Sequence, residues 1–71
     1  MKFIEGQEVK VLKEESVREH RLIAKGAHGV IICIDEYDQS YLVAPLSKEH
    51  ADMFKFKAPW WVTEEDLEVL G

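Results

Sequence analysis

This 71-residue chain has one cysteine, Cys33, which excludes an internal disulfide and a zinc site built on cysteines. The thiol lies in the apolar run Val30-Ile31-Ile32-Cys33-Ile34, where a small, buried, inert side chain is expected rather than a reactive one. No apolar run approaches roughly 18 residues, so no membrane partner is expected. The N-terminus lacks the basic, apolar and small-residue regions of a signal peptide. These absences fit a reducing, cytoplasmic setting. His20, His28 and His50 fall in separate segments, and no two have the i,i+4 spacing of a helix-borne metal site. Ser16, Ser40, Ser47 and Thr63 have no base and orienting group in a recognisable pattern, and there is no phosphate-binding or dinucleotide-binding glycine motif. No enzyme activity, cofactor or metal is expected.

Bases are missing from two stretches. Residues 27–47 carry Asp35, Glu36 and Asp38 without a Lys or Arg, and residues 58–71 carry Glu64, Glu65, Asp66 and Glu68 without one. The net charge of −5 is therefore concentrated rather than spread. That disfavours duplex DNA, whose binding rests on neutralising phosphates, and permits a basic partner. Hydrophobic residues make up 46% of the chain, too many for a wholly disordered one. Residues 1–71 form one small domain, with a stability on the order of 3–5 kcal/mol.

The remaining signal is mainly strand. Gly6-Gln7-Glu8-Val9-Lys10-Val11-Leu12 alternates with period two. Val30 to Ile34 is β-branched and uninterrupted, the pattern of the most buried strand. The turn Asp35 to Ser40 leads to a further strand, Tyr41-Leu42-Val43-Ala44, which Pro45 ends. Lys13 to Lys25 reads either as about two helical turns or as a long excursion returning through Leu22-Ile23-Ala24. The excursion is favoured, because Leu22-Ile23 sits poorly on a helical face set by Val17 and Arg21. Ser47 is placed to cap one short helical turn. Phe54-Lys55-Phe56-Lys57 alternates as the start of a strand, and Trp60-Trp61-Val62 continues as one. Thr63 with Asp66 three residues on resembles a capping box, followed by an acidic turn that docks by Leu67 and leads into Val69-Leu70.

Glycine-strand, long loop, Lys25-Gly26-Ala27-His28-Gly29-Val30-Ile31, hairpin, Trp-strand, helical turn and final strand together resemble the Src-homology-3-like small barrels. The resemblance covers residues 4–70. It is to the short barrel proteins typified by the small photosystem I barrel and the ferredoxin–thioredoxin reductase variable chain, and to small bacteriophage proteins ending in a similar Trp-Trp-x-x-Glu-Glu-Asp-Leu-Glu run. It implies an all-β, five-stranded barrel with a short helical turn before the last strand. Gly26 to Ile34 also looks like the KOW element of ribosomal and transcription proteins, although those modules usually have a basic surface. The Ala-Leu-Tyr-Asp-Tyr motif of the polyproline-binding barrels is absent, so their groove is not carried over.

A barrel of this kind is expected to be a non-catalytic protein-interaction module, a bacteriophage accessory protein or a small bacterial subunit, acting in the host cytoplasm if phage-encoded. Its state would be a monomer or weak homodimer. Adjacent strand residues point to opposite faces. One of Trp60 and Trp61 therefore fills the core and the other is outside, as a partner's anchor or packed under the long loop. Trp61 is taken as the outer ring. Tyr37 and Tyr41 offer further rings, and Arg18 and Arg21 lie in the long loop. Glu64, Glu65 and Asp66 are either a solvated, capped turn or, with Asp35, Glu36 and Asp38, an imitation of a phosphate line. The second reading makes the chain an acidic inhibitor of a basic nucleic-acid-binding protein. A third makes it a KOW-like nucleic-acid binder; a single strand would be held by Lys10, Lys13, Arg18, Arg21 and Lys25 with an aromatic such as Tyr41 or Phe56.

Overall fold

Period-two alternation produces the first strand as expected. In the computed structural model, which describes residues 2–71, β1 (Glu8–Val11) buries Val9 and Val11 and turns Glu8 and Lys10 to the other face. Two short strands follow, β2 (Glu15–Val17) and β3 (His20–Ile23), then β4 (His28–Asp35) and β5 (Ser40–Pro45). A single helical turn, α1 (Lys48–Ala51), and a 3-10 turn at Lys55–Lys57 lead to β6 (Trp60–Thr63). A second 3-10 turn at Glu64–Asp66 precedes β7 (Leu67–Val69). The fold is all-β: a five-stranded antiparallel sheet in the order β6-β5-β4-β1-β7, and a separate β2–β3 hairpin.

Strand β4 is shared by both halves of the sheet. His28 to Val30 pair with β1, while Gly29 to Asp35 pair with β5 across a bulge between Ile31 and Cys33. A bulge bends its strand and sharpens the local twist, which lets one long strand serve two directions. Gly29 sits where the packing is closest: a Cβ there would meet Cγ1 of Val43, and the Ala44 carbonyl oxygen at 2.7 Å. Gly26, just before β4, has φ +89, a conformation that favours glycine.

One apolar cluster forms the core, and every strand of the sheet contributes to it. Val9 and Val11 come from β1, Ile31 from β4, Tyr41 and Val43 from β5, Val62 from β6 and Leu67 from β7. Phe3, Ile23 of β3, Ala27 and Phe54 complete it. Ile23 bridges Phe54, and the Ala24 N–H donates to the Met53 carbonyl at 2.9 Å, so the hairpin and the 46–59 connection are tied together over the sheet.

Several expectations are corrected. The segment 14–25 does leave and return through Leu22-Ile23, but as a β-hairpin rather than a loop or helix. Strand β4 is not buried throughout: Gly29 and Ile31 are covered, Cys33 is half-buried, and Ile32, at the bulge, is 47% exposed. Only the face of β4 toward the cluster is covered. Phe54 to Lys57 is not a strand. Phe54 is buried, and the chain then turns at Lys55–Lys57 with Phe56 87% exposed. Ser47 precedes α1, but its backbone carbonyl, not its side chain, accepts the N–H groups of His50 and Ala51. Thr63 and Asp66 meet side chain to side chain at 3.3 Å without capping a backbone N–H. Among the described residues no helix is long and apolar enough to cross a membrane.

Candidate binding groove beside the β2–β3 hairpin

Chain geometry at two turns builds the most distinctive surface. Val17 pairs with His20, so Arg18 and Glu19 form a two-residue hairpin turn with Arg18 at φ 59. On the facing connection, buried Phe54 anchors a turn in which Phe56 and Lys57 have φ 58 and 55. Gln39 is the other non-glycine residue with positive φ among those described, so three of these four residues flank one site. Such conformations cost on the order of 1–3 kcal/mol each and persist where the surrounding structure imposes them.

Between the two turns lies a groove of about 410 Å³. Val17, Leu22, Phe56 and Trp60 form its apolar floor, and Arg18, His20 and Lys55 its rim. Lys55 Nζ lies 5.4 Å from the Phe56 ring centroid and 3.5 Å from His20 Nδ1. The groove continues into a polar depression that shares Arg18, His20 and Lys55 and adds Arg21, Ser16, Glu14 and Glu19. The Lys57–Asp52 ion pair nearby, at 4.0 Å and largely exposed, adds little to stability.

The two tryptophans do not divide as expected. Trp60 is 37% and Trp61 39% exposed, and the core position on β6 belongs to Val62. At the sheet edge the Trp60 ring reaches the hairpin and lines the groove. Trp61 is on the opposite face. It aligns across the sheet with Leu42, which in turn aligns with Cys33. Arg18 thus shares the groove with Trp60, not with Trp61, while Arg21 lines only the adjoining polar depression.

A second surface unites the two acidic stretches. Ser40 pairs with Thr63, and the Glu64 N–H donates to the Gln39 carbonyl at 3.2 Å. Asp38, Gln39, Thr63, Glu64 and Glu65 line a shallow depression of about 230 Å³. Tyr37, 95% exposed, tops the adjoining turn, whose shape is fixed by Asp35 Oδ1 accepting the N–H groups of Tyr37 and Asp38.

Part of this acidic surface is used internally. Tyr41, expected among the contact rings, is instead fully buried, because its side of β5 faces the core and its ring meets Phe3 edge-on. Its hydroxyl donates to Glu64 Oε1 at 2.6 Å and accepts the Lys2 and Phe3 N–H groups at 3.1 and 3.2 Å. Lys2 N–H also donates to Glu64 Oε1, at 2.6 Å. The Tyr41 hydrogen bond, then that of Lys2, holds the Glu64 carboxyl below its ordinary range, and burial raises the Tyr41 hydroxyl. Glu64 is therefore a clasp on the N-terminal arm. Glu15, on β2, is pushed up to about 7, first by burial and then by a hydrogen bond with the Asp66 carboxyl and that group's charge. Glu65 and Tyr37 are the expected acidic-side contacts that remain exposed.

His28 and His50, far apart in sequence, stack at 4.2 Å, with His50 Nδ1 accepting the His28 N–H at 3.4 Å. This contact joins α1 to β4. Among the described residues no group of three or more His, Cys, Asp or Glu side chains is placed to hold a metal ion.

Sequence reasoning missed Val17, Lys55, His20 and the role of Trp60, and offered Phe56 only as a stacking ring for single-stranded nucleic acid. The alternation Phe54-Lys55-Phe56-Lys57 looks the same whether the chain extends or turns, and positive φ at a phenylalanine leaves no mark in composition. No family model, curated protein or solved structure matches the chain.

Proposed function

We propose that this chain is a non-catalytic protein-interaction module that receives a short segment of its partner in the groove beside the β2–β3 hairpin. The observation that carries the reading is the open apolar floor of Val17, Leu22, Phe56 and Trp60 between two strained turns. Exposed aromatics beside basic side chains are the usual anchors of protein interfaces. The finer fold reading is a Src-homology-3-like barrel. It is supported by β7 returning beside β1, by the bent, shared β4 and by the long hairpin between β1 and β4. The setting implied by the resemblance is a bacteriophage accessory protein or small bacterial subunit in the cytoplasm, and the net charge of −5 with two base-free stretches argues against duplex DNA.

Selection of a random peptide library on the immobilised protein, with the Phe56→Ser variant as comparator, tests this function. Peptides that enrich on the native protein and are lost on the variant support the module. Enrichment that is absent or indifferent to Phe56 sinks it.

A second reading, the acidic inhibitor of a basic nucleic-acid-binding protein, is favoured by one observation: Asp38, Glu64 and Glu65 gather in one depression. Engagement of Glu64 by Tyr41 and Lys2 weakens it, since a phosphate imitation needs free carboxylates.

A further inference from the structure

We infer that the segment received by the groove is acidic: one or two apolar or aromatic side chains flanked by carboxylates. This rests on the groove being the contact site and adds the chemistry of what fills it.

Charge carries the inference. The chain is net −5, yet every charged or titratable side chain lining the apolar groove is a base: Arg18, His20 and Lys55. Glu14 and Glu19 face the adjoining polar depression instead. The local sign is thus opposite to that of the whole molecule, at a place where Val17, Phe56 and Trp60 lie open together. Phe56 is 87% exposed and Val17 46%, so neither is held there by core packing. The left-handed residues Arg18 and Phe56 both line the groove, one on its rim and one on its floor.

An apolar side chain of the partner would lie between Phe56 and Trp60. Its flanking carboxylates would meet the Arg18 guanidinium, suited to bidentate pairing, and the Lys55 ammonium. A basic segment would place like charges against both. Single-stranded nucleic acid also offers stacking and negative charge, but its phosphates run on past the groove. They would meet Glu14 and Glu19 and the field of a net-negative protein. A short acidic peptide carries its few charges within about one screening length, roughly 8 Å, of the bases.

The test uses the Trp61→Phe variant, in which Trp60 is the one remaining tryptophan and reports on the groove. Its fluorescence is titrated with three acetylated, amidated peptides sharing a central Phe-Leu pair, with flanks of Glu and Asp, of Ser and Gln, or of Lys. The acidic peptide is expected to bind at least about tenfold tighter than the neutral one at low salt, with the margin shrinking as salt rises. Adding Lys55→Glu should erase most of that margin, while the unchanged circular dichroism of the variant shows that it folds. Equal or tighter binding of the neutral or basic peptide overturns the acidic partner and leaves the module standing. Tighter binding of an oligothymidylate than of the acidic peptide overturns it in favour of nucleic acid. No response of Trp60 to any peptide also overturns it, and the Phe56-dependent library selection then decides the module separately.

Discussion

Two residues show how little room this small domain leaves. Gly29 is needed for lack of a side chain rather than for unusual backbone: the space a Cβ would take is filled by Val43 and the Ala44 carbonyl. Gly29→Ala forces β4 and β5 apart and is expected to cost about 1–3 kcal/mol, a large share of the total, read as a lower urea midpoint. An unchanged midpoint would mean that β4 and β5 separate at little cost. Glu15 is a different kind of case. Its folded pKa, about 7, lies above the ordinary 4.5, so between those values the folded protein holds more protons than the unfolded chain. Stability then falls as pH rises through that window, and the loss is complete above about 7. Solvent screening at this half-buried position limits the effect to about 1 kcal/mol. Glu15→Gln should flatten the difference between pH 4.5 and 7.5, and because the histidines are common to both proteins, the wild-type-minus-variant curve isolates it. Superimposable curves would show that Glu15 does not share its environment with Asp66. Neither feature is legible in the sequence. The proximity of Glu15 to Asp66 exists only once β7 and the turn before it return beside β1, and a glycine before a strand does not announce which neighbours crowd it.

At the level of elements, patterns with a strict period were legible and strained ones were not. Val9 and Val11 fall on the buried face that alternation assigns, and Leu67 docks as the apolar residue after the acidic turn, whereas Tyr41, read as a contact ring, is buried. The β4–β5 hairpin lies where its turn residues place it. The 14–25 segment was ambiguous because Glu14-Glu15-Ser16-Val17 has neither a clean helical nor a clean strand period. Its hairpin is set by Ile23 packing in the core and bridging Phe54, a contact between distant parts of the chain. The turn of that hairpin gives the next prediction. Arg18 stands at the first of two central positions with φ 59, where a two-residue turn of this shape favours glycine. Arg18→Gly should therefore raise stability by about 0.5–1 kcal/mol in urea unfolding. It should also weaken the acidic peptide, because the guanidinium is gone. A gain in stability with a loss of binding marks strain retained for function. Lost stability would show instead that the Arg18 side chain supports the hairpin.

Across the whole molecule, charge is separated into a basic-rimmed groove and an acidic surface, and the two acidic stretches meet although 25 residues separate Gln39 from Glu64 in number. The sequence showed both stretches. It did not show that they would be neighbours, nor that Glu64 would be occupied internally, since both depend on the β5–β6 register. The carboxylates there should behave unequally. Glu64 accepts hydrogen bonds from Tyr41 and Lys2 and has a depressed pKa, so it contributes stability above 4.5 that is lost as pH falls through its folded value. Glu65 is exposed beside Asp38 and Glu64 and has no such bond among the described residues, so it mainly adds repulsion. At pH 7 Glu64→Gln should lower the melting temperature at every salt concentration. Glu65→Gln should raise it slightly at low salt, by an effect within about 0.5 kcal/mol that disappears as added salt screens the cluster. Thermal unfolding of both variants from low salt to about 0.5 M NaCl checks this. If the two substitutions act alike, Glu64 is not a clasp, and the full acidic row becomes available to a basic partner. If they diverge as argued, an inhibitor reading must rest on Asp38, Glu65 and the Asp35–Glu36 turn alone.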